Sequence, residues 1–471
     1  MVAVCSVQHV RVLILGGGGF RVPLICRQVA ASGLPVSEVV LYDTDATRLD
    51  VIAAVLAGDV PKLPVTATTD LGAALRGADF IFSALRVGGL DGRVSDERTA
   101  LRLGVLGQET VGAGGLASAA RAVPVADALA RRIAAAAPSA WVISMTNPAG
   151  IVTEVMSAVL GPRVIGVCDS PVGLIRRACA AMGVDPGPTL GTVTDRVDAD
   201  YLGINHLGWL RGLTVSGTEL LTPLLNDPCR LASTEEGRLF GPDVPRALGA
   251  LPNEYLYWYY ANAEALRDVR AAGRTRGEHV RDRQLAFYAG AAGRAPETAA
   301  RLWRAVNDER NQSYFAELRT GERAGERDAA DVAAGGYESV AIALAAALAG
   351  GPPARLILNV PNGGTVAGLA PETVIEVPCR VDAAGAVPLP VSPPSAHELG
   401  LMSVVRGCER DIAAAALMAG DQDGAGQDAA ARLALRAFAT HPLVGSLDAG
   451  RELAAAAIPT ASHLLRSANI H

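Results

Sequence analysis

Two polar runs in the middle of the chain carry the side chains best suited to chemistry. Residues 166–171 include Cys168, and residues 203–209 include His206. A thiolate and an imidazole are ligands that a borderline divalent cation accepts. Because a structural zinc site requires four protein ligands, two alone favour a catalytic site whose remaining positions stay open to substrate oxygens. We therefore take Cys168 and His206 as candidate metal ligands.

The elements that must position these residues begin at a glycine turn. An apolar run at residues 10–15 predicts a strand, and residues 22–31 are compatible with a helix. The turn between them consists of Gly16, Gly17, Gly18 and Gly19. This arrangement is typical of dinucleotide binding, because small residues let the backbone approach a pyrophosphate and the helix N-terminus favours its charge. The fingerprint is matched only in part, since Arg21 stands where a third glycine belongs.

An acidic residue follows the second predicted strand. Residues 38–42 predict that strand, and Asp43 comes directly after it. At this position a carboxylate accepts hydrogen bonds from the ribose hydroxyls of NAD and repels the 2′-phosphate of NADP. The alternative is an aspartate that only starts a turn. Together with the glycine turn, Asp43 favours NAD as the cofactor.

Strands and helices continue to alternate up to residue 168. Strands are predicted at residues 65–68, 80–84 and 141–145, and helices at residues 71–77 and 117–137, the second of them broken near Pro124. This alternation is typical of a parallel, doubly wound sheet, in which ligands gather at the carboxyl ends of the strands. Arg86 and Asn147 follow two of these strands. Residues 108–115, which lie between them, form a polar, glycine-dense loop that without the neighbouring motifs would be interpreted as a flexible connection.

The alternation weakens after residue 209. Residues 251–260 are rich in aromatic side chains, a helix opens at residues 274–279, and residues 321–331 indicate a surface loop or linker. Late strands are predicted at residues 356–360 and 373–377, on either side of a hairpin turn at residues 361–364. We predict an α/β protein of two domains. They are a Rossmann-like NAD-binding domain at residues 1–168 and a C-terminal α+β catalytic, substrate and oligomerisation domain at residues 169–471.

The composition excludes several classes of protein. The 471 residues include 42 basic and 48 acidic side chains, a net charge of −6, and no run rich in Lys and Arg, so a nucleic-acid surface is not expected. The seven cysteines are odd in number and scattered, which argues against a disulfide framework. The first residues lack a signal-peptide pattern, and no apolar run reaches about 18 residues. We expect a cytoplasmic protein that binds neither nucleic acid nor membrane.

About ten short motifs occur in a single order along residues 10–445. They are the glycine turn, residues 86–89, 108–110 and 146–148, Cys168, and residues 205–206, 255–256, 275–278, 359–362 and 374–378. Together they resemble glycoside hydrolase family 4, the NAD- and divalent-metal-dependent glycosidases, and most closely its 6-phospho-β-glucosidases. The resemblance implies a lactate/malate dehydrogenase-like fold and assembly into a homodimer or homotetramer.

The resemblance also implies a reaction in which oxidation makes an elimination possible. NAD⁺ oxidises the C3 hydroxyl of the sugar, and the resulting ketone makes the C2 proton acidic. A metal ion, Mn²⁺ or another divalent cation, acts as a Lewis acid at C3. A base removes the C2 proton, the C1 substituent leaves, water adds, and NADH returns the hydride. NAD is therefore recycled within each turnover.

Carried over residue by residue, the resemblance implies that Cys168 and His206 hold the metal. Tyr255 would be the base at C2, which requires nearby positive charge to favour the phenolate. Glu109 would support that basicity. Asp169 would be the acid that protonates the departing oxygen.

Three further residues would bind the substrate. The resemblance implies that Arg86, Asn147 and Arg276 contact its hydroxyls and its 6-phosphate, an anion that suits the planar donor fork of arginine. The sequence of Cys168 and Asp169 is similar to that of the α-glucosidase branch of the family, whereas the motifs from Thr275 onward are similar to the β branch. The anomeric preference is therefore open.

Other substrates and functions are also open at this stage. The same cationic pocket would suit another 6-anionic sugar, such as a sulfonated glucose in a sulfoquinovoside. A plain NAD-dependent 2-hydroxy acid dehydrogenase would share the fold but would not need a Cys/His pair. A non-catalytic sugar-phosphate sensor would have no use for a base such as Tyr255.

Overall fold

A single mixed sheet organises the chain. The computed structural model describes residues 9–185, 196–312, 336–419 and 424–458, and thirteen strands of these residues belong to the sheet. The strands are β1 Val10–Leu15, β2 Val36–Tyr42, β3 Val65–Thr68, β4 Phe80–Ser83, β5 Trp141–Ser144, β6 Val164–Gly166, β7 Val197–Ile204, β8 Leu207–Val215, β9 Thr218–Glu219, β10 Leu251–Pro252, β11 Ala354–Pro361, β12 Val374–Asp382 and β13 Gly385–Pro388.

Helices connect these strands and cover the sheet. They are α1 Val22–Ala31, α2 Ala46–Asp59, α3 Leu71–Leu75, α4 Gly89–Arg102, α5 Gly112–Ala136, α6 Ala149–Leu160, α7 Ser170–Ala181, α8 Leu221–Asn226, α9 Pro228–Ser233, α10 Glu235–Phe240, α11 Asp243–Leu248, α12 Tyr257–Tyr260, α13 Asn262–Ala271, α14 Arg276–Ala291, α15 Pro296–Gln312, α16 Gly336–Leu348, α17 Ala396–Met418, α18 Gly424–Thr440 and α19 Leu447–Ala457. Short 3₁₀ turns occupy Gly161–Arg163 and Glu254–Leu256.

The first six strands form the parallel half of the sheet. They lie in the order β3-β2-β1-β4-β5-β6, which is that of a dinucleotide-binding fold. Side chains of β1 alternate between two cores. Val12 and Ile14 pack with residues of α1, α2 and α15, while Leu13 and Leu15 pack with residues of α3 and α5. Helices therefore cover both faces, and the predicted α/β, doubly wound class is confirmed.

Antiparallel strands extend the sheet beyond β6. The order continues β11-β12-β7-β8-β10, with β13 paired to β12 and β9 paired to β8. Asn359 of β11 pairs with Gly166 of β6, and Glu376 of β12 pairs with Gly203 of β7. The same sheet thus runs through both predicted domains, and their boundary at residue 168 stays a prediction.

Several local predictions can be compared with this structure. The strand at residues 10–15 and the helix at residues 22–31 are confirmed, as is the late hairpin, which β11 and β12 form. The break predicted near Pro124 is wrong, because α5 runs through this buried residue without ending. Packing on both sides offsets the backbone hydrogen bond that a proline cannot make. The surface segment predicted at residues 321–331 lies outside the described residues.

The alternative interpretation of residues 108–115 as a flexible connection does not hold for the second half of this segment. Residues 112–115 form the first turn of α5, and these glycines are buried. A Cβ added to Gly114 would lie 2.0 Å from the carbonyl oxygen of Gln108, and one added to Gly115 would lie 2.6 Å from that of Thr110. The glycines therefore permit close packing of this loop against its own helix rather than flexibility.

Among the helices of the described ranges, none is both long enough and apolar enough to cross a membrane.

Buried His441 predicts a loss of stability in acid. Its side chain is 2% exposed, its Nδ1 accepts a hydrogen bond from the N–H of Leu443, and burial lowers the pKa of His441 from 6.5 to about 3. Between these values the unfolded chain binds a proton that the folded chain does not. The free energy of unfolding therefore falls as the pH decreases from about 6.5 toward 3, by up to about 1.4 kcal/mol per pH unit.

Denaturant unfolding of the wild type and of His441→Gln, at several pH values between 7.5 and 4.5, checks this prediction. The variant should lose less stability than the wild type as the pH falls. His397→Gln, which removes an exposed imidazole, is the matched control and should follow the wild type. Parallel pH dependences for the wild type and H441Q would contradict the assignment.

Candidate active site

The four glycines form the predicted turn between β1 and α1. The N–H groups of Gly16 and Gly17 both donate to the carbonyl oxygen of Tyr42, at 2.9 and 2.7 Å. Gly16 has a φ of +83°, and a Cβ added there would lie 2.7 Å from the carbonyl oxygen of Ala84. Only glycine allows this conformation with so close an approach of backbones. The glycines keep side chains away from this turn, as the close approach of a dinucleotide requires.

Asp43 lies at the end of β2, as predicted, and faces this turn. Its Oδ2 accepts a hydrogen bond of 2.9 Å from the N–H of Gly18. Two residues that the sequence analysis missed complete this part of the site. The hydroxyl of Tyr288, on α14, donates to the carbonyl oxygen of Gly18 at 2.6 Å, and the guanidinium of Arg48 lies 4.2 Å from the centre of the Tyr288 ring. A helix from the second half of the chain therefore covers the glycine turn.

Cys168 and Asp169 occupy the loop between β6 and α7. Cys168 is buried, with 6% exposure. The hydroxyl of Ser170, the first residue of α7, donates to Oε1 of Glu254 at 2.7 Å. Burial, against the opposing charge of Arg177, raises the pKa of Glu254 to about 7. This hydrogen bond ties the cysteine loop to the 3₁₀ turn that carries Tyr255.

His206 lies in the tight turn between β7 and β8. Its φ of +62° is in the left-handed region, which a side-chain-bearing residue rarely adopts. Its imidazole stacks on the ring of Tyr255, with 3.7 Å between the ring centroids and 9° between the planes. Strained backbone of this kind often marks a functional site. The predicted metal ligand and the predicted base are therefore in direct contact.

The surroundings of His206 and Cys168 determine the protonation state of each side chain. Burial lowers the pKa of His206 to about 4, although the charges of Asp169 and Glu109 oppose it. The imidazole is therefore neutral near pH 7, which is the form that binds metals. Burial, followed by the charges of Glu376 and Asp169, raises the pKa of the Cys168 thiol. The charge of Asp169 raises the pKa of both side chains, so both predicted ligands lie within the range of its electrostatic interaction.

Glu109 is fixed between two arginines. It forms ion pairs with Arg86, a predicted substrate residue, and with Arg93, which the sequence analysis missed. Burial alone would raise the pKa of Glu109, but the charges of Arg86 and Arg93 outweigh it and lower the pKa to about 2. Glu109 therefore remains a carboxylate near neutral pH and orients Arg86 at the end of β4.

Arg276 lines the same cavity as Tyr255 and Glu109. The cavity wall also includes Arg93 and Arg310, so that it is rich in guanidinium groups. Nη2 of Arg276 donates to the carbonyl oxygen of Arg310 at 3.1 Å. This hydrogen bond joins the start of α14 to the end of α15. A cavity with this lining suits an anionic ligand.

Asn147 is half-buried between β5 and α6, next to the loop that carries Arg86. The hydroxyl of Thr146, its neighbour, accepts a hydrogen bond of 3.0 Å from the N–H of Leu85. This contact ties the ends of β4 and β5 together. Asn147 and Arg86 therefore lie at the same edge of the sheet, as the parallel alternation predicts.

The residues at the candidate metal position fit a site with few protein ligands. Within the ranges that the structure describes, no group of three or more His, Cys, Asp and Glu side chains could hold a metal ion. Nδ1 of His206 is buried and has no hydrogen-bond partner among these residues. A buried imidazole nitrogen with no partner in the described ranges fits a cation that takes its other ligands from a substrate, and two candidate protein ligands do not fit structural zinc.

Comparison with family models gives two matches that together span most of the chain. Residues 11–184 match the model of family 4 glycosyl hydrolases, and residues 201–444 match the model of their C-terminal domain.

Individual relatives and solved structures agree with these matches. The chain is 27% identical to a probable 6-phospho-beta-glucosidase of Bacillus subtilis, over 93% of each chain. It is 28% identical to a phospho-alpha-glucosidase of Clostridium acetobutylicum, over 83% of this chain and 86% of the relative. Its fold resembles the crystal structure of a 6-phospho-alpha-glucosidase from gut microorganisms in complex with NAD and Mn²⁺, with a TM-score of 0.75, 24% identity, and coverage of 96% of this chain and 97% of that chain.

The N-terminus of α14, which positions Arg276, predicts the effect of one glycine substitution. The N–H of Gly277 donates to Oε2 of Glu97 at 2.9 Å, and a Cβ added at Gly277 would lie 2.5 Å from the same oxygen. Gly277→Ala should therefore displace Glu97 and lower the free energy of unfolding by about 1–3 kcal/mol. Gly290→Ala is the matched control on the same helix, because an added Cβ there meets nothing within 4 Å.

Thermal unfolding of both variants checks this prediction. G277A should melt below the wild type, whereas G290A should melt at or slightly above it, because alanine favours the helix over glycine. Equal melting temperatures for the two variants would show that the contact between Glu97 and Gly277 does not hold the start of α14.

Proposed function

The chain belongs to the family 4 glycosyl hydrolases, and we propose that it hydrolyses the O-glycosidic bonds of 6-phosphorylated glucosides with NAD and a divalent cation, Mn²⁺ or a similar ion. The observation that carries the proposal is the stack of His206 on Tyr255 beside a cavity lined with arginines. A plain dehydrogenase has no need of this combination. The names of the relatives, which include both 6-phospho-β- and phospho-α-glucosidases, support the same substrate class.

The cofactor would be held at the glycine turn, and the cation at Cys168 and His206. When bound, NAD supplies reversible hydride transfer at C3 and the cation supplies a Lewis acid, which together make the C2 proton acidic. Gly16–Gly19 would hold the pyrophosphate, and Asp43 would accept hydrogen bonds from the ribose hydroxyls. Tyr288 covers the turn, because its hydroxyl is bonded to Gly18.

Tyr255 is the proposed base that removes the proton from C2. Its ring is 9% exposed, and it opens on the cavity that Arg276 and Arg310 line. These guanidinium groups favour the phenolate that accepts the proton. His206, stacked on the same ring, fixes its orientation. Burial of the ring also limits the access of water during proton transfer.

Asp169 and the arginines are assigned to the other parts of the substrate. Asp169 is half-buried at the start of α7 and would protonate the departing oxygen. Arg86 and Arg276, together with Asn147, would bind the hydroxyls and the 6-phosphate. Glu109 stays ionised beside Arg86, so it orients that donor fork and does not itself act as a proton donor.

The anomer and the state of assembly belong to the proposal as well. Asp169 after Cys168 is similar to the α branch, whereas the motifs from Thr275 onward are similar to the β branch, so both anomers are candidate substrates. We propose assembly as a homodimer or homotetramer in the cytoplasm, with a small phosphorylated glucoside as the partner molecule.

Hydrolysis of p-nitrophenyl α- and β-glucoside 6-phosphates in D₂O tests the reaction. With NAD⁺ and Mn²⁺, one anomer or both should be cleaved, the product should carry deuterium at C2, and no net NADH should accumulate. EDTA should abolish cleavage, and added Mn²⁺ should restore it. Cleavage that persists after removal of both NAD and metal would refute the mechanism, and stoichiometric release of NADH would indicate a dehydrogenase.

Two variants assign the base and the thiol ligand. Tyr255→Phe should lower the rate of C2 proton exchange by about 100-fold or more, because the ring stays in place but cannot accept a proton. Tyr259→Phe, on the same aromatic run, is the matched control and should exchange at the wild-type rate. Cys168→Ser should remain folded and lose metal-dependent activity. Wild-type activity in Y255F or C168S would remove that residue from its role.

A further inference from the structure

Glu376 is a buried carboxylate at the centre of the site that no step above uses. It lies on β12 with 1% exposure and accepts three hydrogen bonds. Nδ2 of Asn359 donates to Oε1 at 2.9 Å, Nδ2 of Asn205 donates to Oε1 at 3.3 Å, and the hydroxyl of Tyr201 donates to Oε2 at 3.0 Å. All three donors are neutral, and across the described ranges Glu376 takes part in no ion pair.

A buried carboxylate without a cation is costly, because hydrogen bonds from neutral groups replace only part of its hydration. Two other glutamates, the buried Glu236 and the half-buried Glu409, each face an arginine. Glu376 has no such arginine among the described residues. Its position beside Cys168 indicates what could balance its negative charge. Its charge acts on the Cys168 thiol, whose pKa burial and Glu376 both raise.

Unpartnered polar atoms cluster around the same carboxylate. Nδ1 of His206 and Oδ1 of Asn359 are buried, and neither has a hydrogen-bond partner in the part of the chain that is described. His206 is 4% exposed and Asn359 is fully buried. These atoms carry lone pairs, which a cation or its bound water could use.

Glu376 also connects the two turns that carry His206 and Tyr255. Asn205, which it binds, directly precedes His206 in the strained turn. Tyr201, which it also binds, accepts a hydrogen bond of 3.1 Å from Asn253, and Oδ1 of Asn253 accepts one of 3.1 Å from the N–H of Tyr255. A single carboxylate thus fixes both turns through short chains of hydrogen bonds.

We infer that Glu376 is a positioning residue of the metal site, which balances the charge of the divalent cation at Cys168 and His206 and holds the His206 turn in the orientation that binds it. The inference deepens the proposed function and rests on it for the presence of the cation. Outer carboxylates commonly orient metal ligands and strengthen metal binding, and Glu376 acts on the His206 turn through the side chain of Asn205.

Direct titration of the metal-free protein with Mn²⁺, followed by the electron paramagnetic resonance signal of free Mn²⁺, tests this inference. Glu376→Gln keeps the size of the side chain and removes its charge, and it should weaken Mn²⁺ binding by about tenfold or more. Glu409→Gln is the matched control, since it also removes the charge of a carboxylate largely shielded from solvent, but one that pairs with Arg406. It should bind Mn²⁺ as the wild type does.

Two more variants keep the test decisive. Glu376→Asp retains the charge and should recover part of the affinity lost in E376Q. If E376Q does not fold, E376D takes its place and should bind Mn²⁺ more weakly than the wild type because its carboxylate is shorter. Tyr201→Phe removes the hydrogen bond to Oε2 of Glu376 and leaves the charge of that carboxylate in place, so it should weaken Mn²⁺ binding less than E376Q does.

The outcomes separate this inference from the proposed function. Mn²⁺ affinity in E376Q equal to that of the wild type, or a loss of affinity as large in E409Q, would overturn the role of Glu376. The titration contains neither sugar nor NAD, so a protein that binds Mn²⁺ through Glu376 but cleaves no glucoside 6-phosphate would refute only the proposed substrate. A wild-type chain that binds no Mn²⁺ would overturn the inference directly.

Discussion

The pairing of β11 with β6 is the contact on which the rest of the site depends. It sets Asn359 opposite the last residue of β6 and joins the parallel half of the sheet to the antiparallel half. Asn359 is in turn opposite Glu376 on β12, and Glu376 is opposite Gly203 on β7. The loop of Cys168 follows one end of this row, and the turn of His206 follows the other. A slip of one residue in any of these pairings would turn Glu376 to the other face of the sheet and leave the row without its carboxylate.

Two carboxylates of the site, the half-buried Glu109 and the buried Glu376, lie in opposite electrostatic environments. Glu109 lies between Arg86 and Arg93, whose charges lower its pKa to about 2 despite burial. Burial raises the pKa of Glu376, whose partners are neutral amides and a phenol. Positive charge is thus concentrated where the arginines face the cavity, and negative charge lies behind Cys168. Such a separation suits a substrate anion on one side and a metal cation on the other.

Sequence patterns predicted the local part of this site and missed its distant partners. The glycine turn, Asp43 and Cys168 follow strands whose apolar runs are plain in the sequence, so their place at the sheet edge could be predicted from spacing alone. Tyr288 could not, because it meets Gly18 across 270 residues, and no periodic pattern links them. Glu376 left a weaker signal, a lone acid within an apolar strand. The path of α5 through Pro124 also escaped prediction, since tertiary packing decides it and local propensity does not.

The dinucleotide-binding half does not by itself determine the chemistry. That half supplies the glycine turn, Arg86 and Cys168. A dinucleotide-binding fold can combine such residues with other partners and so support other reactions. The strained turn of His206 and the ring of Tyr255 both come from the second half, and their stack exists only where β7 and the 3₁₀ turn Glu254–Leu256 meet. The hydrogen bond from Ser170 to Glu254 crosses between the halves at the same place. The second half therefore places a phenol and an imidazole against the dinucleotide-binding half, and the proposed elimination depends on this combination.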